Sequence, residues 1–388
     1  MINQRNEQME TVAFIVNGSP SGAMGQRAKA FADLLANRYD IRIAYRTAQK
    51  LASIYQLFAF LRETKPTVSY VFDMSFSGVL AAGFYKLLFR NRLIIDTGDA
   101  IYELAREAGE RGKLGLGLTW LLEWFSLKIA DHIVVRGTFH KQLLTERAVA
   151  VDVIQDGVDT KQFAPEDVSA LRRQLGLEDV LTIGLIGSSV WSEKQQLCYG
   201  WDLVETIRLL KDKPVMGLMI GDGSGIAHLK ARCRKYGIED RLQFRGFVPY
   251  EDLPKLMGVL DVCLSTQTNN IVGKVRTTGK LPLYLAMGKF VLASNVGEAS
   301  LVLPPEMLVP YEGIKDEIYP CRLAERILTL LASPDMLARA DEIRAIGKQH
   351  FEYSSLAEKL AVVIDQVSQK ANAIGQTSQS QVSETISS

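Results

Sequence analysis

A chain of 388 residues is longer than one ordinary hydrophobic core supports, so two domains are the starting expectation. Hydrophobic residues at 47% and charged residues at 23% are globular proportions, and a net charge of +1 excludes broad electrostatic attachment to nucleic acid. Cys198, Cys233, Cys263 and Cys321 lie far apart with no CxxC pair. That implies reduced, mostly buried thiols in a reducing compartment, and no metal site.

The first ten residues are polar and carry no signal-peptide pattern, so a cytoplasmic protein is expected, with residues 1–10 as a tail. Apolar, β-rich runs then follow at 11–17 (TVAFIVN), 39–45 (YDIRIAY), 68–73 (VSYVFD), 92–96 (RLIID), 132–135 (HIVV) and 151–154 (VDVI). Helix-period segments separate them, such as Gln26 to Asn37 and Leu51 to Glu63. Strands alternating with helices predict a mostly parallel sheet covered on both faces. The second half repeats the plan at 181–187, 214–221, 241–246, 259–265, 289–294 and 307–310. The fold class is therefore α/β, with two doubly wound, Rossmann-like domains.

Gly157, Pro165 and a charge cluster interrupt the pattern over 156–179, where the linker is expected. The boundaries follow as 11–170 and 171–350, with a helix over 351–370. The Ser/Gln-rich stretch 371–388, devoid of aromatics, is expected to be a disordered tail. The apolar stretch Leu114 to Ala130 contains Glu123 and Lys128 and is too short for a membrane span. Within it Trp120, Leu121, Leu122, Trp124, Phe125 and Leu127 are apolar on nearly all sides, a pattern of burial. Basic neighbours (LLFRNR and REAGERGK) leave peripheral contact with anionic lipid as the other reading.

Ligands of open α/β sheets gather beyond the carboxyl ends of the strands. Four strand-exit loops stand out there. NGSPSGAMGQR carries Gly22 between two further glycines; GSSVWSEK carries Ser188 and Lys194; GDGSG carries Gly221 and Asp222; and KVRTTGK spans Lys274 to Lys280. The last offers Thr277, Thr278 and Gly279 as backbone donors flanked by Lys274, Arg276 and Lys280, a set suited to a diphosphate. The alternative is that a threonine caps the helix while the cations stay solvated. In the first half Asp73, Asp96 and Asp99 follow strands, where carboxylates can orient sugar hydroxyls or cap helices. Asp99 is favoured for function because Gly98 beside it would leave room for substrate. His132, His140, His228 and His350 form no nucleophile–base constellation and are read as structural.

The phrases GDGSG, LPKLMGVLDVCLS, LAMGKFVLAS and DVIQDGVDTKQF, with GSPSGAMGQRAKAFADLLA near the start, resemble GT-B glycosyltransferases of retaining family 4. The resemblance covers most of residues 11–368. It implies two facing Rossmann-like domains, a nucleoside-diphosphate sugar held mainly by the second, a final helix around Phe351 to Val367 returning to the first, and no metal or other cofactor. Four of the family's polar groups are replaced. Its two glutamates correspond to Val275 and Leu283, its diphosphate arginine to Ser188 and its lysine to Tyr199; a histidine is absent from DTGDAIYE.

On this reading the donor is held by Gly22, Ser188, Lys194, Gly221, Asp222, Lys274, Arg276, Thr277, Thr278, Gly279, Lys280 and Glu298. Asp99, Lys194 and Glu298 are the catalytic candidates, with Asp73 and Asp99 facing the acceptor. Lys194, Lys274, Arg276 and Lys280 would supply the charge that Ser188 and Tyr199 cannot. The implied activity is transfer of a hexose to a hydroxyl of a glycan, lipid-linked or small-molecule acceptor, with retention. A GT-B domain that has lost chemistry and serves as a binding subunit is the alternative reading, and a sugar-nucleotide epimerase is a third.

Overall fold

A computed structural model describes residues 9–74, 76–146 and 150–386, with side chains as far as residue 369. Part of the expected N-terminal tail, residues 1–8, and the last two residues lie outside the described residues. The chain packs as two units. One comprises the residues up to Tyr102, Gly112–Gln155 and those from Tyr353 onward; the other comprises Glu103–Arg111 and Asp156–Glu352.

The first unit contains β1 (Glu10–Val16), α1 (Ala23–Leu35), β2 (Tyr39–Tyr45), α2 (Lys50–Thr64), β3 (Val68–Phe72), α3 (Phe76–Phe89) and β4 (Arg92–Thr97). After β4 comes α4 (Ile101–Ala108), whose residues from Glu103 pack with the second unit. Then follow α5 (Lys113–Ile129), β5 (His132–Val135), α6 (Thr138–Thr145) and β6 (Val151–Val153). All pairings are parallel, in the order β2-β1-β3-β4-β5-β6. Because side chains alternate along a strand, β1 feeds two cores. Val12, Phe14 and Val16 pack with Phe31 of α1, whereas Ala13 and Ile15 pack with Leu57 and Leu61 of α2.

The second unit runs α7 (Ser169–Gln174), β7 (Leu181–Ile186), α8 (Trp201–Leu209), β8 (Val215–Ile220), α9 (Ile226–Tyr236), β9 (Leu242–Phe244), α10 (Leu253–Gly258) and β10 (Val262–Ser265). It continues with α11 (Ile271–Val275), α12 (Lys280–Ala286), β11 (Phe290–Ser294), α13 (Ala299–Val302), β12 (Leu308–Val309), α14 (Tyr319–Ala332) and α15 (Ala340–Phe351). Its sheet is also parallel, ordered β12-β11-β10-β7-β8-β9. Each expected apolar run contains a strand, and those buried along their whole length, such as β3 and β11, read as continuous hydrophobic stretches.

The final helix, α16 (Tyr353–Ile386), belongs to the first unit. Leu356, Leu360, Ile364 and Val367, spaced three or four apart, are buried in the same core as Phe14 and Phe31. The tail is expected from residue 371, and the helical backbone runs on to Ile386. The linker expected over 156–179 is packed with the second unit, so the units divide between Gln155 and Asp156. Val158 is bridged to Glu352 and fully buried, and Thr160 Oγ1 donates to the Glu352 carboxylate, which fastens that segment.

The stretch around Trp120 is not buried as its apolar pattern suggests. Within α5 only Thr119, Ser126 and Leu127 are buried. Leu114, Leu118, Trp120, Leu121 and Trp124 are exposed, as are Phe84, Leu87, Leu88 and Phe89 of α3. Among the described residues no helix is long and apolar enough to cross a membrane. The cysteines are free, with Cys198, Cys233 and Cys263 buried and Cys321 exposed.

Candidate functional site

In the second sheet β7 lies between β10 and β8, so successive connections leave β7 in one direction and β10 in the other. The loops after β7 and β10 are thereby parted, and a crevice opens beyond their carboxyl ends. A pocket of about 400 Å³ occupies it. Ser188, Trp191 and Tyr199 come from the β7 exit; Thr266, Thr268, Arg276, Thr278 and Lys280 come from the β10 exit; Leu104, Glu107, Ala108 and Glu110 close one wall.

Lys280 opens α12 and is half-buried. Its Nζ sits 3.5 Å from the centroid of the Tyr199 ring, a cation–π contact. A Cβ built at Gly187 would lie 3.5 Å from the same Nζ, so the ammonium lies close to the backbone leaving β7. Tyr199 is fixed by donating its hydroxyl to Leu264 O at 3.3 Å. Burial, then the Arg276 guanidinium, lower the Lys280 pKa to about 7. Ser188 and Tyr199 carry no charge, and the cationic group at this wall comes from α12, resting on the tyrosine ring.

Of the residues singled out in the sequence, Ser188, Arg276, Thr278 and Lys280 share this pocket. Arg276 and Thr278 also line a small adjoining cavity with Thr277, Glu298 and Asp156. Thr277 Oγ1 reaches Asp156 Oδ2 at 3.5 Å. No threonine side chain caps α12; its N-cap is Gly279, which is exposed, as is Lys274. Lys194 is not a lining residue: its Nζ donates to Arg106 O (3.4 Å) and Glu107 O (3.0 Å) at the end of α4. Asp222 is exposed and accepts from Gly223 N–H. Gly221 (φ 135°) is required by packing, because a Cβ there would meet Gly187 O at 2.1 Å. Neither Gly221 nor Asp222 lines the pocket.

Sequence reasoning missed Glu107, Asn270 and Asp202. Asp202 lies in the first turn of α8, 9% exposed; burial raises its pKa to about 7, and its Oδ1 has no hydrogen-bond partner among the described residues. Val275 and Leu283 are core residues at 3% and 9% exposure and present no polar group.

In the first unit the strand-exit carboxylates are engaged by arginines. Asp96, with no exposed surface, accepts from Arg27 Nε (3.2 Å), Tyr70 Oη (3.0 Å) and Arg136 Nε (3.1 Å). Asp73, in left-handed backbone at φ 64°, accepts from Arg136 Nη2 at 2.9 Å, and burial still raises its pKa. The room expected beside Asp99 is filled: a Cβ on Gly98 would lie 2.8 Å from Arg136 Nη1. Asp99 itself is half-buried, and Gly22 is the N-cap residue of α1. His140 is buried and lowered by desolvation to a pKa of about 4, so it is neutral at pH 7.

Two six-stranded parallel sheets flanked by helices, with a pocket at the switch point of the second, define a protein of the GT-B glycosyltransferase fold. Residues 181–333 match the family described as Glycosyl transferases group 1. Over 130 residues the chain is 32% identical to 2-deoxystreptamine glucosyltransferase of Streptomyces kanamyceticus. That alignment covers 32% of each protein, so the chain spans about a third of the length of this curated relative. The structure of HepE of Anabaena in complex with UDP-glucose is similar, at TM-score 0.72, 18% identity and coverage of 92% of this chain and 99% of that one. Sucrose-phosphate synthase from Thermosynechococcus elongatus gives TM-score 0.74 at 16% identity, with coverage of 92% and 99%. At these identities the likeness is one of fold.

Proposed function

We propose that the chain is a nucleotide-sugar-dependent glycosyltransferase. It moves a hexose from a nucleoside diphosphate to a hydroxyl of a glycan, lipid-linked or small-molecule acceptor, with retention and with no metal needed to neutralise the leaving group. The observation that carries this reading is the Lys280 ammonium held on Tyr199 in a switch-point pocket, with Arg276 beside it, inside the region matched to the group 1 family. The bond between the anomeric carbon and the diphosphate oxygen breaks, the acceptor oxygen takes that carbon, and the hydroxyl proton leaves on the diphosphate. Cations that line the pocket favour a transition state in which negative charge builds on the departing diphosphate. The UDP-glucose bound by HepE supports a nucleotide sugar as donor.

A thermal-shift series with UDP, GDP and ADP tests this. Ligand at about 100 times Kd stabilises the folded form by about 2.7 kcal/mol, a rise of several degrees in Tm. The selected nucleotide's sugar conjugate should then be turned over when acceptor extracts are added. No shift with any nucleotide would sink the reading. A shift without turnover would identify a binding domain, the alternative that the apolar Val275 and Leu283 favour.

We place the acceptor side at an anionic lipid surface. Phe84, Leu87, Leu88 and Phe89 of α3 and Leu114, Leu118, Trp120, Leu121 and Trp124 of α5 are all exposed, and Gly83 of α3 lies against Phe125 and Ile129 of α5. Exposed Arg90, Lys113 and Lys128 accompany them. Aromatic and aliphatic side chains among cations suit the interfacial region of a bilayer. The protein should co-sediment with phosphatidylglycerol vesicles, and the double substitution Trp120→Ser/Trp124→Ser should lower partitioning about tenfold. Equal sedimentation of the two proteins would remove the lipid surface from the proposal.

A further inference from the structure

We propose that Glu107 is the specificity-determining residue that receives the hydroxyls of the transferred hexosyl group. The inference rests on the donor reading above. A hexosyl group withdrawn from water into the pocket brings several hydroxyl donors, each of which must find an acceptor. Three side-chain carboxyl groups line the pocket: Glu107, Glu110 and Asp202. Asp202 is withdrawn into the first turn of α8, and Glu110 is exposed beyond the end of α4. Glu107 is half-buried in the wall and is held by side chains from two sides.

The holding groups explain why its position is fixed. Glu107 Oε2 accepts from Asn270 Nδ2 at 2.6 Å, and Oε1 accepts from Gln195 Nε2 at 2.9 Å. Asn270 is itself locked, because its Oδ1 accepts from Gly273 N–H (2.9 Å), capping α11, and from Thr268 Oγ1 (3.0 Å). Lys194 binds the carbonyl oxygens of Arg106 and Glu107, so the end of α4 is anchored as well. Gly109, at φ 70°, turns the chain there, and a Cβ on it would lie 2.8 Å from Lys194 Cδ. A carboxylate offers about four acceptor positions, and the two amide groups occupy two of them. The others remain for sugar hydroxyls, on an acceptor that need not be ordered when the donor binds. Gln195 and Asn270 come from the two loops that frame the crevice, so both strand exits aim one carboxylate. A carboxylate in this role selects a neutral hexosyl group, because a uronosyl group would place a second anion against it.

Titration calorimetry on Glu107→Gln and Glu107→Ala, with melting temperatures as the check on folding, tests the assignment. The ligand pairs are UDP with UDP-glucose, GDP with GDP-mannose and ADP with ADP-glucose. For the base that the native protein binds, Kd for the nucleoside diphosphate should change less than about twofold, while Kd for the sugar conjugate rises about tenfold or more. Equal changes for both ligands, or no change for the conjugate, would overturn the role of Glu107 and assign it to structure. Binding of a nucleoside diphosphate but not its conjugate by the native protein would overturn it too. Native protein that binds no member of any pair would instead remove the donor reading, a distinguishable failure.

Discussion

Replacing Lys280 by alanine should weaken nucleoside diphosphate binding roughly 10- to 100-fold, about 1.5–3 kcal/mol, the range of a hydrogen bond to a charged group. Lys274→Ala should leave it unchanged, although the two lysines flank the same loop in sequence. The difference lies in where they end: Lys280 Nζ rests on Tyr199 in the pocket, whereas Lys274 is exposed and lines neither cavity. Calorimetry on both variants decides it, and equal affinities for native protein and Lys280→Ala would refute the pocket as a diphosphate site.

The same lysine sets a pH dependence. In the empty pocket its pKa is about 7. A bound diphosphate favours the ammonium, so the pKa in the complex is higher. Below pH 7 the ammonium is already present; above it, binding must take a proton from solvent. Affinity should therefore fall as pH rises from 7 to 9, by up to about tenfold per unit, above the range near pH 6 where a phosphate itself titrates. Lys280→Ala should flatten the profile, and a slope that survives the substitution would assign the titration to another group.

Asp96→Ala should have the largest effect on stability, a loss of about 3–5 kcal/mol. Asp96 has no exposed surface and is the shared partner of Arg27 and Arg136, which are 1% and 6% exposed. Removing it takes the shared carboxylate from two buried guanidinium groups; Arg136 keeps Asp73, but Arg27, which also donates to Gln155 O and Ile154 O, cannot swing out to water. Urea unfolding followed by circular dichroism should show a markedly lower midpoint. Asp99→Ala, at a half-buried position, should lower it much less. A native-like midpoint for Asp96→Ala would mean that the ion-pair cluster contributes little.

The contrast between these aspartates marks what reading the chain could reach. Asp73, Asp96 and Asp99 read alike in the sequence, as carboxylates at the carboxyl ends of β3 and β4. Which of them carries structure depends on Arg27 and Arg136, which are 69 and 40 positions from Asp96. Gly98 likewise suggests open space until Arg136 is found filling it.

The sequence alone determined the α/β class and the strands, because each rests on local rules: the period of apolar residues and the glycines at turns. It also carried the cationic TTGK loop. Only the tertiary structure decided which cations reach the pocket, that Lys194 is spent on the end of α4, and that Glu107 joins a pocket built mostly from residues 188–311. It also turned the apolar helix around Trp120 outward, since periodicity records that a surface is apolar and not what covers it. Charge and hydrogen-bond partnerships act through space over a few ångströms, and spacing along the chain does not encode those distances.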